Sequence, residues 1–173
     1  VHKGHIYIAE QCMKHLGMDR IMFLPNGNPP HKRGRNITDK EHRYNMVRLA
    51  VEDCFEVSDI EIKTDKVCYA VDTMAELDKL YPEDKLYYII GADSLRDFPT
   101  WREPGIISKL CTLLVACRDE SGIEDLKAKI AEMNERYGTK CLIMNSPKVD
   151  AASSEIRKMV LEGMNVSNYV GKE

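Results

Sequence analysis

The sequence has no surplus of basic residues, no long apolar run and no paired-cysteine motif, and each absence removes a class of function. Lys and Arg total 25 against 28 Asp and Glu, a net charge of −3, whereas a general nucleic-acid binder would carry a basic excess. No apolar run approaches the ~20 residues of a membrane helix. The segment after Val1 is charged and bears histidines, with no apolar signal-peptide core, which argues against secretion of the chain as given. The six cysteines (Cys12, Cys54, Cys68, Cys111, Cys117 and Cys141) include no C-x-x-C pair, so neither a zinc ribbon nor a thioredoxin-like motif is present. Most lie in apolar stretches, where Cys behaves as a small buried hydrophobe in a reduced, cytoplasmic protein. Internal repeats, low-complexity tracts and linkers are also missing. What remains is 173 residues, 43% hydrophobic and 31% charged, the profile of one globular domain.

Hydrophobic spacing alternates between two periods along the chain. From Ile6 to Leu16, apolar residues at Ile8, Ala9, Cys12 and Leu16 mark a helical face ended by Gly17, and Arg20–Leu24 is a short buried strand stopped by Pro25. Thr38 with Glu41 reads as a capping box before a helix carrying Met46, Val47, Leu49, Ala50 and Val51. Phe55, Val57, Ile60 and Ile62 alternate as an extended segment. A helix through Asp72–Leu80, a strand Leu86–Ile90 broken by Gly91, a strand Leu110–Ala116, a helix Ile123–Tyr137 and a strand Cys141–Met144 follow. Ser153 or Ser154 opens a last helix running to Gly163. Strands alternating with helices predict an α/β domain with a mainly parallel sheet, whose ligands bind beyond the carboxyl ends of the strands.

Four segments carry residues suited to an anion or a flat ring. His2-Lys3-Gly4-His5 lies at a helix start, where N–H groups and the helix dipole attract phosphate; a pair of surface histidines is the plain alternative. Pro29-Pro30-His31-Lys32-Arg33-Gly34-Arg35 concentrates positive charge in an otherwise acidic chain, as a solvated loop also would. In Gly91 to Trp101, Gly91 admits a ligand to the backbone, Asp93 can accept from ribose hydroxyls, and Trp101, the sole tryptophan, offers a stacking face or ordinary packing. Ser153, Ser154 and Arg157 form either a phosphate seat or a plain serine cap with charges on the outer face.

Taken together, these segments resemble the bacterial nicotinate-nucleotide adenylyltransferases of the H-x-G-H nucleotidyltransferase superfamily. Val1-His2-Lys3-Gly4-His5 is similar to the last five positions of the family's opening G-G-[TS]-F-D-P-[VI]-H-x-G-H. Pro25–Lys32, Tyr69–Thr73, Ile90–Ser94 through Pro99-Thr100-Trp101, and Ala151–Arg157 are similar to its later motifs. Ala152 stands where Ser is frequent, and Ala70 where Thr is. The resemblance implies a Rossmann-like nucleotidyltransferase fold, mainly parallel sheet with helices on both faces, over a single domain of residues 1–173. It also implies a strand and Gly-rich turn encoded upstream of Val1.

The activity implied is adenylyl transfer from ATP to nicotinate mononucleotide, giving deamido-NAD and pyrophosphate in NAD biosynthesis. By the same resemblance His2, His5 and Arg157 are catalytic, and His2, His5, Gly91, Asp93, Ser153, Ser154 and Arg157 bind ATP. His31, Lys32, Ala70, Trp101 and Arg102 bind nicotinate mononucleotide. Mg²⁺ is expected on the ATP phosphates with no protein-built metal site, neither nucleic acid nor membrane is a partner, and a homo-oligomer is left open. Two alternatives compete. One is a phosphopantetheine or other mononucleotide adenylyltransferase, which shares H-x-G-H without the Gly-Ala-Asp-Ser to Pro-Thr-Trp segment. The other is a non-catalytic nucleotide-binding domain.

Overall fold

A computed structural model describes residues 1–30, 37–51, 55–117, 122–145 and 153–171. They fall into two compact units, Val1–Val67 with Val149–Glu173, and Cys68–Lys148.

In the first unit, helix α1 (Lys3–Leu16) leads to strand β1 (Met22–Phe23), helix α2 (Lys40–Val51), strand β2 (Glu56–Val57) and, at the far end of the chain, helix α7 (Ser153–Leu161). α1 begins at Lys3, three residues before the apolar face suggests, because histidine, an unusual N-cap, starts it. It ends where Gly17 adopts φ +60, the left-handed turn that glycine makes without strain. β1 and β2 pair in parallel, Met22 opposite Glu56 and Phe23 opposite Val57. The extended segment expected over residues 55–62 is shorter. After Val57 the chain turns, with the Ile62 and Lys63 N–H groups bonded to the Asp59 carbonyl. Asp59 and Ser58 favour such turns because their side chains compete for nearby backbone; the Ser58 hydroxyl accepts from Ile60 N–H at 3.3 Å. α2 is capped by Asp39 rather than Thr38: its carboxylate accepts from Glu41 N–H at 2.8 Å.

The second unit holds helix α3 (Ala70–Leu80), strand β3 (Tyr87–Gly91), helix α4 (Ala92–Asp97), a 3₁₀ turn (Phe98–Thr100), helix α5 (Pro104–Leu110), strand β4 (Thr112–Cys117), helix α6 (Ile123–Tyr137) and strand β5 (Cys141–Asn145). The three strands are parallel in the order β3-β4-β5. Leu113, Leu114, Val115, Ala116 and Cys117 of the central strand are all buried. Consecutive strand residues face opposite ways, so this sheet is covered on both sides, as the continuous apolar run requires. Each fully buried Leu or Val there contributes about 1.5–3 kcal/mol. Leu95, Phe98, Ile107 and Met133 are fully buried with them, which ties α4, the 3₁₀ turn, α5 and α6 to one core. α6 has the bounds its periodicity suggests and ends on Gly138 at φ +68. α5 is unforeseen. The segment from Gly91 to Trp101 is mostly helical, because α4 starts directly at the end of β3.

Candidate active site

In the first unit the H-x-G-H segment is the capping structure of α1. His2, 4% exposed, is the N-cap, and its Nδ1 accepts from Gly4 N–H at 3.2 Å. His5 Nδ1 accepts from His2 N–H at 3.4 Å, which closes a reciprocal capping box. The two rings lie 3.9 Å apart. A ring nitrogen that accepts an N–H bond carries no proton, so both caps hold their imidazoles as neutral rings protonated at Nε2. Gly at position 4 keeps the backbone between the rings free of a side chain.

The helix start itself is less open than its sequence suggests. Lys3 N–H donates to the Tyr169 carbonyl at 2.8 Å, His5 N–H to the His2 carbonyl at 2.9 Å, and Gly4 N–H to the His2 ring. An anion arriving here would therefore meet imidazole edges and a helix dipole rather than unbonded N–H groups. Lys3 Nζ also donates to the Ser167 carbonyl at 3.1 Å, so the 166–170 turn is pinned to this motif.

Arg157 is exposed on the second turn of α7, behind Ser153 and Ser154. Two of the four expected segments, at the starts of α1 and α7, thus belong to the same compact unit.

The loop after β1 is held by two residues that belong to none of the four segments, Glu61 and Arg43. Gly27 N–H donates to Glu61 Oε2 at 2.9 Å, with Glu61 7% exposed. Arg43 donates from Nη1 to the Asn26 carbonyl, from Nη2 to the Gly27 carbonyl at 2.7 Å and from Nε to the Thr38 carbonyl at 2.9 Å. Both faces of the Gly27 residue are therefore clamped. His31 and Lys32, which follow this loop, lie outside the described residues.

In the second unit, Gly91 ends β3 with φ −79, a value open to any residue, and an added Cβ would meet nothing within 4 Å. Neither conformation nor packing calls for glycine there, which leaves access to the backbone as its physical use. Asp93 is in the first turn of α4, its carboxylate bonded to Arg96 Nη1 at 2.7 Å and almost wholly exposed. Trp101 is half-buried against Phe98, at 5.4 Å, and Tyr88, at 6.0 Å; fully buried Phe98 anchors it to the core.

Ala70 is the first residue of α3. The Asp72 and Thr73 N–H groups bond the Tyr69 carbonyl, while those of Ala70 and Val71 have no acceptor inside the helix. Arg102 reaches the same helix start, with its guanidinium carbon 4.7 Å from the Tyr69 ring centroid and Nη1 3.5 Å from Asp72 Oδ2. Ala70 and Arg102 are thus brought together. The next residue, Glu103, is the sole non-glycine with positive φ (+51) among the described residues. Strain of this kind persists where the surrounding structure over-determines it, here between Arg102 and a proline.

A shallow hollow of about 660 Å³ lies at the amino ends of β3, β4 and β5, lined among others by Tyr87, Thr112, Lys127 and Lys140. It is at the edge opposite Gly91, away from where parallel sheets bind ligands. Buried thiols are chemically quiet: burial pushes Cys111 up to about 12, with Cys141 adding, and takes Cys12 and Cys141 to about 11.

The model of the cytidylyltransferase-like family matches residues 1–159. The chain is 34% identical over 172 residues to a Clostridium tetani protein named "Probable nicotinate-nucleotide adenylyltransferase", covering 98% of this chain and 86% of that one. It is 38% identical over 169 residues to a protein of the same name from Desulfitobacterium hafniense strain Y51, covering 94% and 80%. Among solved structures it is similar to Plasmodium falciparum nicotinic acid mononucleotide adenylyltransferase complexed with NaAD, with TM-score 0.77 over 99% of this chain and 85% of that one at 17% identity. The same protein complexed with APC matches with TM-score 0.75 at 17% identity over the same shares. At that identity the likeness speaks to the fold.

Proposed function

The chain belongs to the nicotinate-nucleotide adenylyltransferases of the cytidylyltransferase-like family, and we propose how its residues carry out that adenylyl transfer. The phosphate of nicotinate mononucleotide attacks the α-phosphorus of ATP. The bond from that phosphorus to the bridging oxygen breaks, pyrophosphate leaves, and deamido-NAD remains. The nucleophile belongs to the substrate, so no side chain needs to form a covalent intermediate, and catalysis is positioning plus charge stabilisation.

The observation that carries the residue-level reading is the reciprocal His2–His5 cap. It spends both Nδ1 atoms on backbone and keeps each proton on Nε2, so two rings present N–H donors with fixed tautomer to the triphosphate. Arg157 adds a permanent charge beside them, and Ser153 and Ser154 supply hydroxyls from the start of α7. Gly91 lets the nucleoside approach the end of β3, and Asp93 exchanges Arg96 for ribose hydroxyls. Trp101 stacks on the pyridine ring, with the Ala70 N–H and Arg102 at its carboxylate. His31 and Lys32 take the mononucleotide phosphate. One family model runs through both compact units, which supports their working as a single catalytic domain.

Among the described residues no three His, Cys, Asp or Glu side chains gather into a cage. In this reading Mg²⁺ is carried by the ATP phosphates, where it neutralises charge. No helix of the described residues is long and apolar enough to cross a membrane, and we place the reaction in the cytoplasm, where ATP and the mononucleotide are found. The test is acceptor choice. Purified protein with ATP should release pyrophosphate with nicotinate mononucleotide and not with phosphopantetheine. ATP binding without release would leave only a nucleotide-binding domain.

A further inference from the structure

Arginines in this fold are used in two ways. Arg43 commits each of its three nitrogens to a backbone carbonyl, three of its five N–H donors. Arg102 makes one contact, Nη1 to Asp72 Oδ2 at 3.5 Å, with the side chains 54% and 59% exposed. A long, single-pronged, solvent-exposed pair of this kind adds little stability. Its Nε and Nη2 meet no acceptor among the described residues. The guanidinium is held at 4.7 Å from the Tyr69 ring centroid, a contact that orients its fork without consuming its donors. It also follows directly on Trp101, which rests on Phe98 and Tyr88.

We infer that the Arg102 side chain determines specificity for the charged substituent of the mononucleotide ring, and that Asp72 is a built-in competitor for it. This rests on the adenylyl transfer proposed above. With the pyridine on Trp101, the ring carboxylate takes Arg102 from Asp72 and can engage two parallel N–H donors where Asp72 engages one. Asp72, already more than half exposed, returns to water at little cost. A carboxamide carries no charge and cannot displace the aspartate, so the nicotinamide analogue leaves Arg102 parked. Selectivity arises from exchanging one carboxylate for another, and its size is set by the strength of the competitor.

Opposite effects of the two partners test this. Steady-state kinetics with ATP would compare nicotinate and nicotinamide mononucleotides in the purified protein and in Arg102→Ala, Arg102→Lys and Asp72→Asn. The expected result is a wild-type preference for nicotinate mononucleotide that falls about tenfold or more in Arg102→Ala, or about 1.4 kcal/mol. The loss should lie in KM for that acceptor, with KM for ATP unmoved, and Arg102→Lys should restore part of it. Asp72→Asn should raise the preference by tightening nicotinate mononucleotide alone. Trp101 is the sole tryptophan, so quenching of its fluorescence gives acceptor affinity directly, even in a variant too unstable for kinetics. A preference unchanged in Arg102→Ala, or lowered in Asp72→Asn, overturns the inference. A wild-type protein that turns over neither acceptor overturns the adenylyl-transfer reading instead.

Discussion

Replacing His2 by Ala and by Asn separates its two jobs. As N-cap it accepts from Gly4 N–H at 3.2 Å, and its own N–H donates to His5 at 3.4 Å, both long for N–H hydrogen bonds. An N-cap side chain is worth ~1 kcal/mol, and these lengths place the His2 cap near or below that figure. His2 is also buried, so alanine loses packing too, and His2→Ala should cost about 1–2 kcal/mol. Asparagine is among the strongest N-caps and should recover about 1 kcal/mol of that. In a chain of this size that difference is worth roughly 2–4 °C in Tm. Neither variant can present the Nε2–H donor to a phosphate, and the loss of one such donor slows turnover about 10²- to 10³-fold. Thermal unfolding beside pyrophosphate release is the assay. The reasoning is refuted if His2→Asn keeps near-native turnover, because the imidazole would then be only a cap.

Three further predictions follow from the same geometry. Gly91→Ala, at φ −79 with open space around the new Cβ, should leave stability within about 0.5 kcal/mol while raising KM for ATP; an unchanged KM would remove the case for close ligand approach. Arg43→Lys keeps the charge but loses the three-carbonyl clamp on Asn26, Gly27 and Thr38, so KM for the mononucleotide should rise more than KM for ATP. Equal changes in both would make Arg43 merely structural. Thiol values raised from 9.0 to about 11–12 at Cys12, Cys111 and Cys141 stabilise the fold fully below pH 9 and lose that contribution as pH rises through the folded values. The urea midpoint should accordingly show no thiol-linked change at neutral pH and fall above about pH 9, with a shallower fall in Cys111→Ala.

The parts of the fold that were legible in sequence are those whose burial is one-sided or complete. Leu113–Cys117 reads as a central strand because every residue is apolar, and Ile123–Tyr137 reads as a helix because a 3.6-residue stripe ends at Gly138. α1 starts at Lys3, three residues before the apolar stretch that opens at Ile6, because the ring nitrogen of His2 caps it and histidine is a rare N-cap. The alternation from Phe55 to Ile62 looked like a strand, but Ser58 and Asp59 turn the chain after two paired residues. α5 carries one fully buried apolar side chain, Ile107, too few for a periodic signal.

At the site, residue identity pointed to His2, His5, Trp101 and Arg157. The supports of Arg43, Glu61, Tyr69 and Asp72 act through a backbone carbonyl, a backbone N–H, a ring face and an ion pair across 16 to 34 residues of chain. Spacing along a sequence carries no trace of such pairings. The alternation puts Glu61, between Ile60 and Ile62, on the opposite and polar face, so its burial against Gly27 N–H left no signal in the sequence.

The fate of the ATP phosphates tests the central claim most directly. With nicotinate mononucleotide as acceptor, label placed in the α-phosphate of ATP should appear in deamido-NAD, and label placed in the γ-phosphate should appear only in pyrophosphate, one pyrophosphate per dinucleotide. Label from the γ-phosphate in the acceptor, or α-label that stays with unreacted ATP, would contradict adenylyl transfer by this protein.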